Sequence, residues 1–100
     1  MPKGYWIVRI DINNPEGFKV YAAAHRDALH KYGAKFIVRG GKQEALEGHA
    51  RSRNVVLEFK DYATALACYH SLEYKRTIPL REPYSDTDFV IVEGYDGPQP

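Results

Sequence analysis

The chain is poor in the features that announce chemistry. Its single cysteine, Cys68, cannot close an internal disulfide, so nothing calls for an oxidising compartment. The opening MPKGYWIVRID meets charge after a short apolar stretch, which suits neither a signal peptide nor a membrane span. Lysine and arginine number 14 against 13 aspartates and glutamates, scattered along the chain for a net charge of +1. A nucleic-acid or anionic-membrane surface needs clustered basic charge, so both partners are excluded. His25 and His30 fall about 140° apart on a helical wheel, and His49 and His70 belong to other segments. With no HxxxH or HExxH spacing, no metal is expected. One histidine would suffice for haem, yet nothing favours it, and no cofactor is expected. Nucleophile elbow, phosphate loop and dinucleotide fingerprint are all missing; Gly40-Gly41 lacks the G-x-G-x-x-G context. The expected location is the cytoplasm.

What is present is an ordinary globular mixture, 44% hydrophobic and 27% charged, enough for one core but not two. Residues 1–96 read as a single domain with a loose tail over 97–100. Around the stretch AKFIVRGGKQEALEG (34–48) the rest is organised: a short strand delivers Arg39 to a Gly40-Gly41 break that tolerates a sharp reversal. An arginine held there is positioned and permanently charged.

GYWIVRIDI (4–12) is dense in β-branched and aromatic residues and predicts the first strand. Asn14, Pro15 and Glu16 cap, start and charge a helix that runs to about Tyr32, where Gly33 ends it. Phe18, Tyr21, Ala22, His25, Ala28, Leu29 and Tyr32 share one stripe of it. Lys35–Arg39 is the second strand, Gln43–Glu47 a shorter extended piece, and Asn54–Lys60 the third main strand. Asp61 caps a helix with Tyr62, Ala65, Leu66 and Tyr69 on one face, Ser71 starts a short helical segment, and FVIVE lies in the last strand. Strand-helix-strand twice over gives β-α-β-β-α-β, an α+β ferredoxin-like arrangement. Its antiparallel-rich sheet has the first and third strands central and both helices on one face.

Alternation along each strand predicts two faces. Trp6, Val8, Ile10, Phe36, Val38, Val55, Leu57, Phe59, Val90 and Val92 should meet the helices. Tyr5, Ile7, Arg9, Ile37, Arg39, Val56, Glu58, Phe89, Ile91 and Glu93 should form the back, which is too apolar to face water. No element is left to cover it, so a second copy is expected: a homodimer with stacked sheets. Burial would then demand a network of Arg9 and Arg39 with Glu58 and Glu93. Arg9, Ile37, Arg39, Val56, Glu58, Ile91 and Glu93 are the expected interface residues.

Four segments, GYWIVRIDINNPEGFKVY, KYGAKFIVRGGKQEALEG, VVLEFKDYATALACYHSLEY and DFVIVEGYDG, resemble the bacterial family known as domain of unknown function 1330. Arg39-Gly40-Gly41, Glu47-Gly48, Tyr69-x-Ser71-x-x-Tyr74 and Glu93-Gly94 carry the likeness. The resemblance implies a protomer that pairs through its sheet as a dimeric α/β barrel. That superfamily includes cofactor-free monooxygenases of aromatic polyketides, lactone isomerases and haem enzymes, while the family itself has no assigned reaction. Fold-level kinship implies a pocket, not a chemistry.

His25 stands at the centre of an apolar stripe, where an imidazole serves either acid-base work or the core. Tyr21, Tyr69 and Tyr74 line the same cleft as ligand-binding groups, or fill the interior. Cys68 reads as a small buried side chain. Two functions fit: a protein binding a small organic molecule, with His25 as proton acceptor and Arg39 stabilising an anion in cofactor-independent oxygenation or isomerisation; or a non-enzymatic dimer that binds a metabolite or is purely structural. Arg39 serves the first only if the glycine turn swings it from the sheet back to the pocket rim.

Overall fold

The computed structural model describes residues 2–100, and the core is built on Trp6. Its indole is 1% exposed, donates from Nε1 to the Ala65 carbonyl at 2.9 Å, and meets Phe59, Tyr74 and Phe89 at centroid distances of 5.0, 4.9 and 4.9 Å. Four antiparallel strands supply one side of that core: β1 (Gly4–Ile12), β2 (Lys35–Arg39), β3 (Arg53–Phe59) and β4 (Ser85–Glu93), in the order β2-β3-β1-β4. The expected central pair, β1 and β3, is in place, and within one chain the sheet stays open rather than closing into a barrel. Helices α1 (Pro15–Ala24), α2 (Arg26–Lys31), α3 (Tyr62–His70), α4 (Leu72–Lys75) and α5 (Ile78–Arg81) supply the other side.

The caps sit where residue chemistry puts them. Asn14 Oδ1 accepts from Gly17 N at 3.1 Å, Asp61 Oδ1 from Thr64 N at 2.7 Å, and Ser71 Oγ from Tyr74 N at 3.2 Å. Gly33, at φ +68, closes α2: its N–H donates to the His30 carbonyl and that of Ala34 to Leu29, the paired bonds of a Schellman end.

Four expectations are corrected. First, the helix expected to run unbroken to Tyr32 is interrupted at His25, whose ψ of −8° departs from helical geometry while its N–H still bonds the Tyr21 carbonyl. Second, Gln43–Glu47 forms no strand. It lacks β-branched residues, and the side chain of Gln43 bridges the loop neck instead, donating to the Arg51 and Ser52 carbonyls and accepting from Asn54.

Third, β4 faces the other way. Phe89 pairs with Val8 and Ile91 with Trp6, so both turn to the helices, whereas Val90 and Val92 join Ile7 and Tyr5 on the back. FVIV is apolar at every position, so alternation could not choose its face; pairing with β1 does. Fourth, a register shift between Phe36 and Val38 inserts one extra residue into β2. Val38 then lies opposite Val56 on the back, and Arg39 lies opposite Val55 on the helix side. Glu93, opposite Gly4, also sits on the helix-side row at the strand end. Arg39 and Glu93 therefore do not share the back face with Arg9 and Glu58, as the expected four-residue network required.

The back face carries a row of apolar residues across all four strands, Val38, Val56, Ile7 and Val90, with Val38 41% and Val90 49% exposed. Ile37 is exposed at the bulge. Charges cluster at one end of this face. Arg9 Nη2 donates to the His49 carbonyl at 2.8 Å, and Arg51 reaches Asp88 at 2.8 Å and Asp11 at 3.0 Å. Both carboxyls are held below their ordinary range: Asp88 by Arg51, Asp11 chiefly by the Ser52 backbone N–H. Glu58 accepts from the Tyr5 hydroxyl at 3.3 Å. No helix is long and apolar enough to cross a membrane among the described residues.

Candidate functional site

Between α1 and the sheet lies a cavity of about 50 Å³, several times the ~10–15 Å³ one water needs. With its open mouth the free space reaches about 450 Å³. Trp6, Phe18, Phe36 and Phe89 give it aromatic walls, and Val8, Ile10, Val55 and Leu57 an aliphatic floor. The polar groups are Tyr21, His25, Arg39 and Arg53; no carboxylate lines it.

His25 is brought here by the break between α1 and α2, its ring 4.6 Å from that of Tyr21 and 6.5 Å from that of Phe36. It is 9% exposed, and its Nδ1 has no hydrogen-bond partner. Its pKa is lowered to about 4, chiefly by burial; the Ala22 carbonyl opposes the shift in part, and the positive charge of Arg39 adds to it. The imidazole is therefore neutral at pH 7, a resident acceptor rather than a cation.

Arg39 reaches the rim because the β2 bulge, not the glycine turn, rotates it off the sheet back. Its guanidinium stacks on Phe36, with Cζ 4.1 Å from the ring centroid. Gly40, at φ +63, does something the sequence did not suggest. A Cβ there would overlap Arg53 Nη1, so the missing side chain is the seat of the second guanidinium. Neither Arg39 nor Arg53 forms an ion pair among the described residues.

Of the three tyrosines expected to line the site, Tyr21 does. Tyr74 is fully buried behind it, the two hydroxyls 2.6 Å apart. Burial raises the pKa of both, that of Tyr21 strongly, so both stay protonated. Arg81 is buried beside them, its Cζ 5.8 Å from the Tyr21 ring centroid. Tyr69 packs on Phe89 and Tyr74 at 5.0 and 5.4 Å, away from the cavity. Cys68 is wholly buried and its thiol is pushed up to about 12, first by burial and then by Glu73, which makes it inert. No group of metal-ligating side chains occurs among the described residues. Arg53 was missed from sequence because its role depends on contact with Gly40 across the β2–β3 pair. Phe89 was placed on the wrong face.

The molecule is thus a ferredoxin-like α+β protein with an apolar, arginine-rimmed cavity between its helices and its sheet. The chain belongs to the family described as domain of unknown function (DUF1330), which matches residues 3–95. No curated protein matches it. Among solved structures it resembles a protein of unknown function from Rhodopseudomonas palustris, 12% identical with a TM-score of 0.74 over 96% of this chain and 85% of that one. It also resembles the cofactor-independent oxygenase SnoaB from Streptomyces nogalater, 10% identical, TM-score 0.62, over 100% and 97% of the two chains. A dimeric ferredoxin-like protein of unknown function from Thermobifida fusca is 14% identical, TM-score 0.56, over 92% and 91%. At these identities the likeness concerns the fold.

Proposed function

We propose that the protein is a homodimer, paired through the backs of its sheets, in which each protomer binds a small organic molecule in the cavity beside His25. The observation that carries this reading is the cavity itself. It is apolar and partly enclosed, and a buried imidazole and two arginines line it, the mixture of apolar walls and few polar groups that suits a small-molecule site. The reaction that fits is cofactor-independent oxygenation or isomerisation, with His25 accepting a proton from the substrate and Arg39 stabilising the anion left behind. Dioxygen then oxidises that anion in the first case, and the same proton returns to it at another carbon in the second. SnoaB is a cofactor-independent oxygenase on the same fold, which supports that reading by analogy.

A second reading, a binding protein without turnover, is favoured by one specific fact. An imidazole with a pKa of about 4 is a weak base, and each unit below that of the group it deprotonates adds about 1.4 kcal/mol to the transfer. Mass spectrometry of the small molecule that co-purifies with native protein, followed by His25→Ala, separates the two. Lost turnover with ligand binding retained supports catalysis. Tight binding with no conversion in either protein supports the binding module, and a cavity that holds nothing in the native protein overturns both.

A further inference from the structure

The cavity carries more charge than its surroundings explain. Arg39 and Arg53 project to its rim from neighbouring strands, one stacked on Phe36 and the other seated over Gly40. Neither meets a carboxylate among the described residues, although the chain has 13 acidic side chains, and Arg51 nearby is paired twice. Two like charges held beside low-dielectric walls repel one another and focus a positive field into the cavity. Such an arrangement is stabilised by an anion that bridges both guanidiniums. The walls below them favour an organic occupant over an inorganic ion: Trp6, Phe36 and Phe89 offer apolar aromatic surface that an inorganic ion could not use. Beside them His25 is nine-tenths buried, and its imidazole lines the cavity as a hydrogen-bonding group for a hydroxyl.

Resting on the reading that this cavity binds a small molecule, we propose that its ligand is a small planar organic anion, its charged end against Arg39 and Arg53 and its hydroxyl against the His25 imidazole. The three features select in order. The arginines set the sign, the aromatic walls set flatness, and the imidazole sets where the hydroxyl sits.

The test uses the full chain with para-hydroxybenzoate, benzoate and benzyl alcohol, followed by calorimetry and by the NMR signals of Trp6 and His25. Para-hydroxybenzoate is expected to bind tightest and benzyl alcohol weakest. Arg39→Gln and Arg53→Gln are each expected to weaken benzoate about tenfold while leaving benzyl alcohol unchanged. Both arginines lie at the surface end of the cavity, so the variants fold, which circular dichroism checks. His25→Phe is expected to abolish the preference for para-hydroxybenzoate over benzoate without loss of the anion preference. Benzyl alcohol binding as tightly as benzoate overturns the anion assignment and leaves the cavity reading standing. No response to any probe at millimolar concentration overturns both.

Discussion

His25 concentrates the protein's pH sensitivity in one side chain. Unfolded, its imidazole titrates near 6.5; folded, at about 4, because burial and then Arg39 disfavour the cation. Between those values the unfolded chain binds more protons. The stabilisation from neutral His25 is thus complete above about 6.5 and lost as pH falls toward 4, a change of about 3 kcal/mol. Tyr21 from α1 and Arg39 from β2 are the groups facing it, and neither offers a negative charge. Denaturant unfolding of wild type at decreasing pH should show this loss, and His25→Gln should flatten the slope between those limits. Equal slopes would place the acid sensitivity elsewhere. The Tyr21–Tyr74 hydroxyl pair is a second single-residue lever. Tyr21→Phe strands the Tyr74 hydroxyl in the interior and should cost about 1–3 kcal/mol by thermal or urea unfolding. The double variant Tyr21→Phe/Tyr74→Phe should cost less than the sum of the single changes, because no orphaned hydroxyl remains.

Among the elements, β2 decides what the site is. It is short, and its bulge turns Arg39 from a back-face residue into a rim residue, while Gly40 just beyond it gives Arg53 room. Gly40→Ala should therefore act twice. The positive φ is strained for alanine by roughly 1–2 kcal/mol, and the new methyl must displace the Arg53 guanidinium. A lowered unfolding midpoint together with a shifted Arg53 side-chain NMR signal is expected; an unchanged midpoint would refute the account of this turn. The same elements show what residue patterns convey. Asn14, Asp61, Ser71 and Gly33 act through bonds to backbone groups a few residues away, so their caps were readable directly. The helix break at His25 and the bulge in β2 have no such local code.

The whole molecule is flat, 43 × 36 × 16 Å, with helices on one face and the Val38–Val56–Ile7–Val90 row on the other. The proposed homodimer would cover this face with a second copy of the same surface. Val56 sits mid-row between Ile7 and Val38. Val56→Lys should convert a dimer seen by light scattering at micromolar concentration into a folded monomer, with secondary structure retained by circular dichroism. A wild-type monomer at that concentration would remove the pairing.

The sequence by itself determined the order of the main strands and helices, the central pairing of β1 and β3, the helix-facing side of Trp6 and the apolar stripe bearing His25. These follow from periodicity and capping, which act over a few residues. Only the tertiary structure decided the face of β4, the side on which Arg39 emerges, the seat of Arg53 over Gly40 and the true charge cluster of Arg51 with Asp11 and Asp88. Each depends on register between strands, and a one-residue slip exchanges the two faces of a sheet while leaving the composition of either strand unchanged.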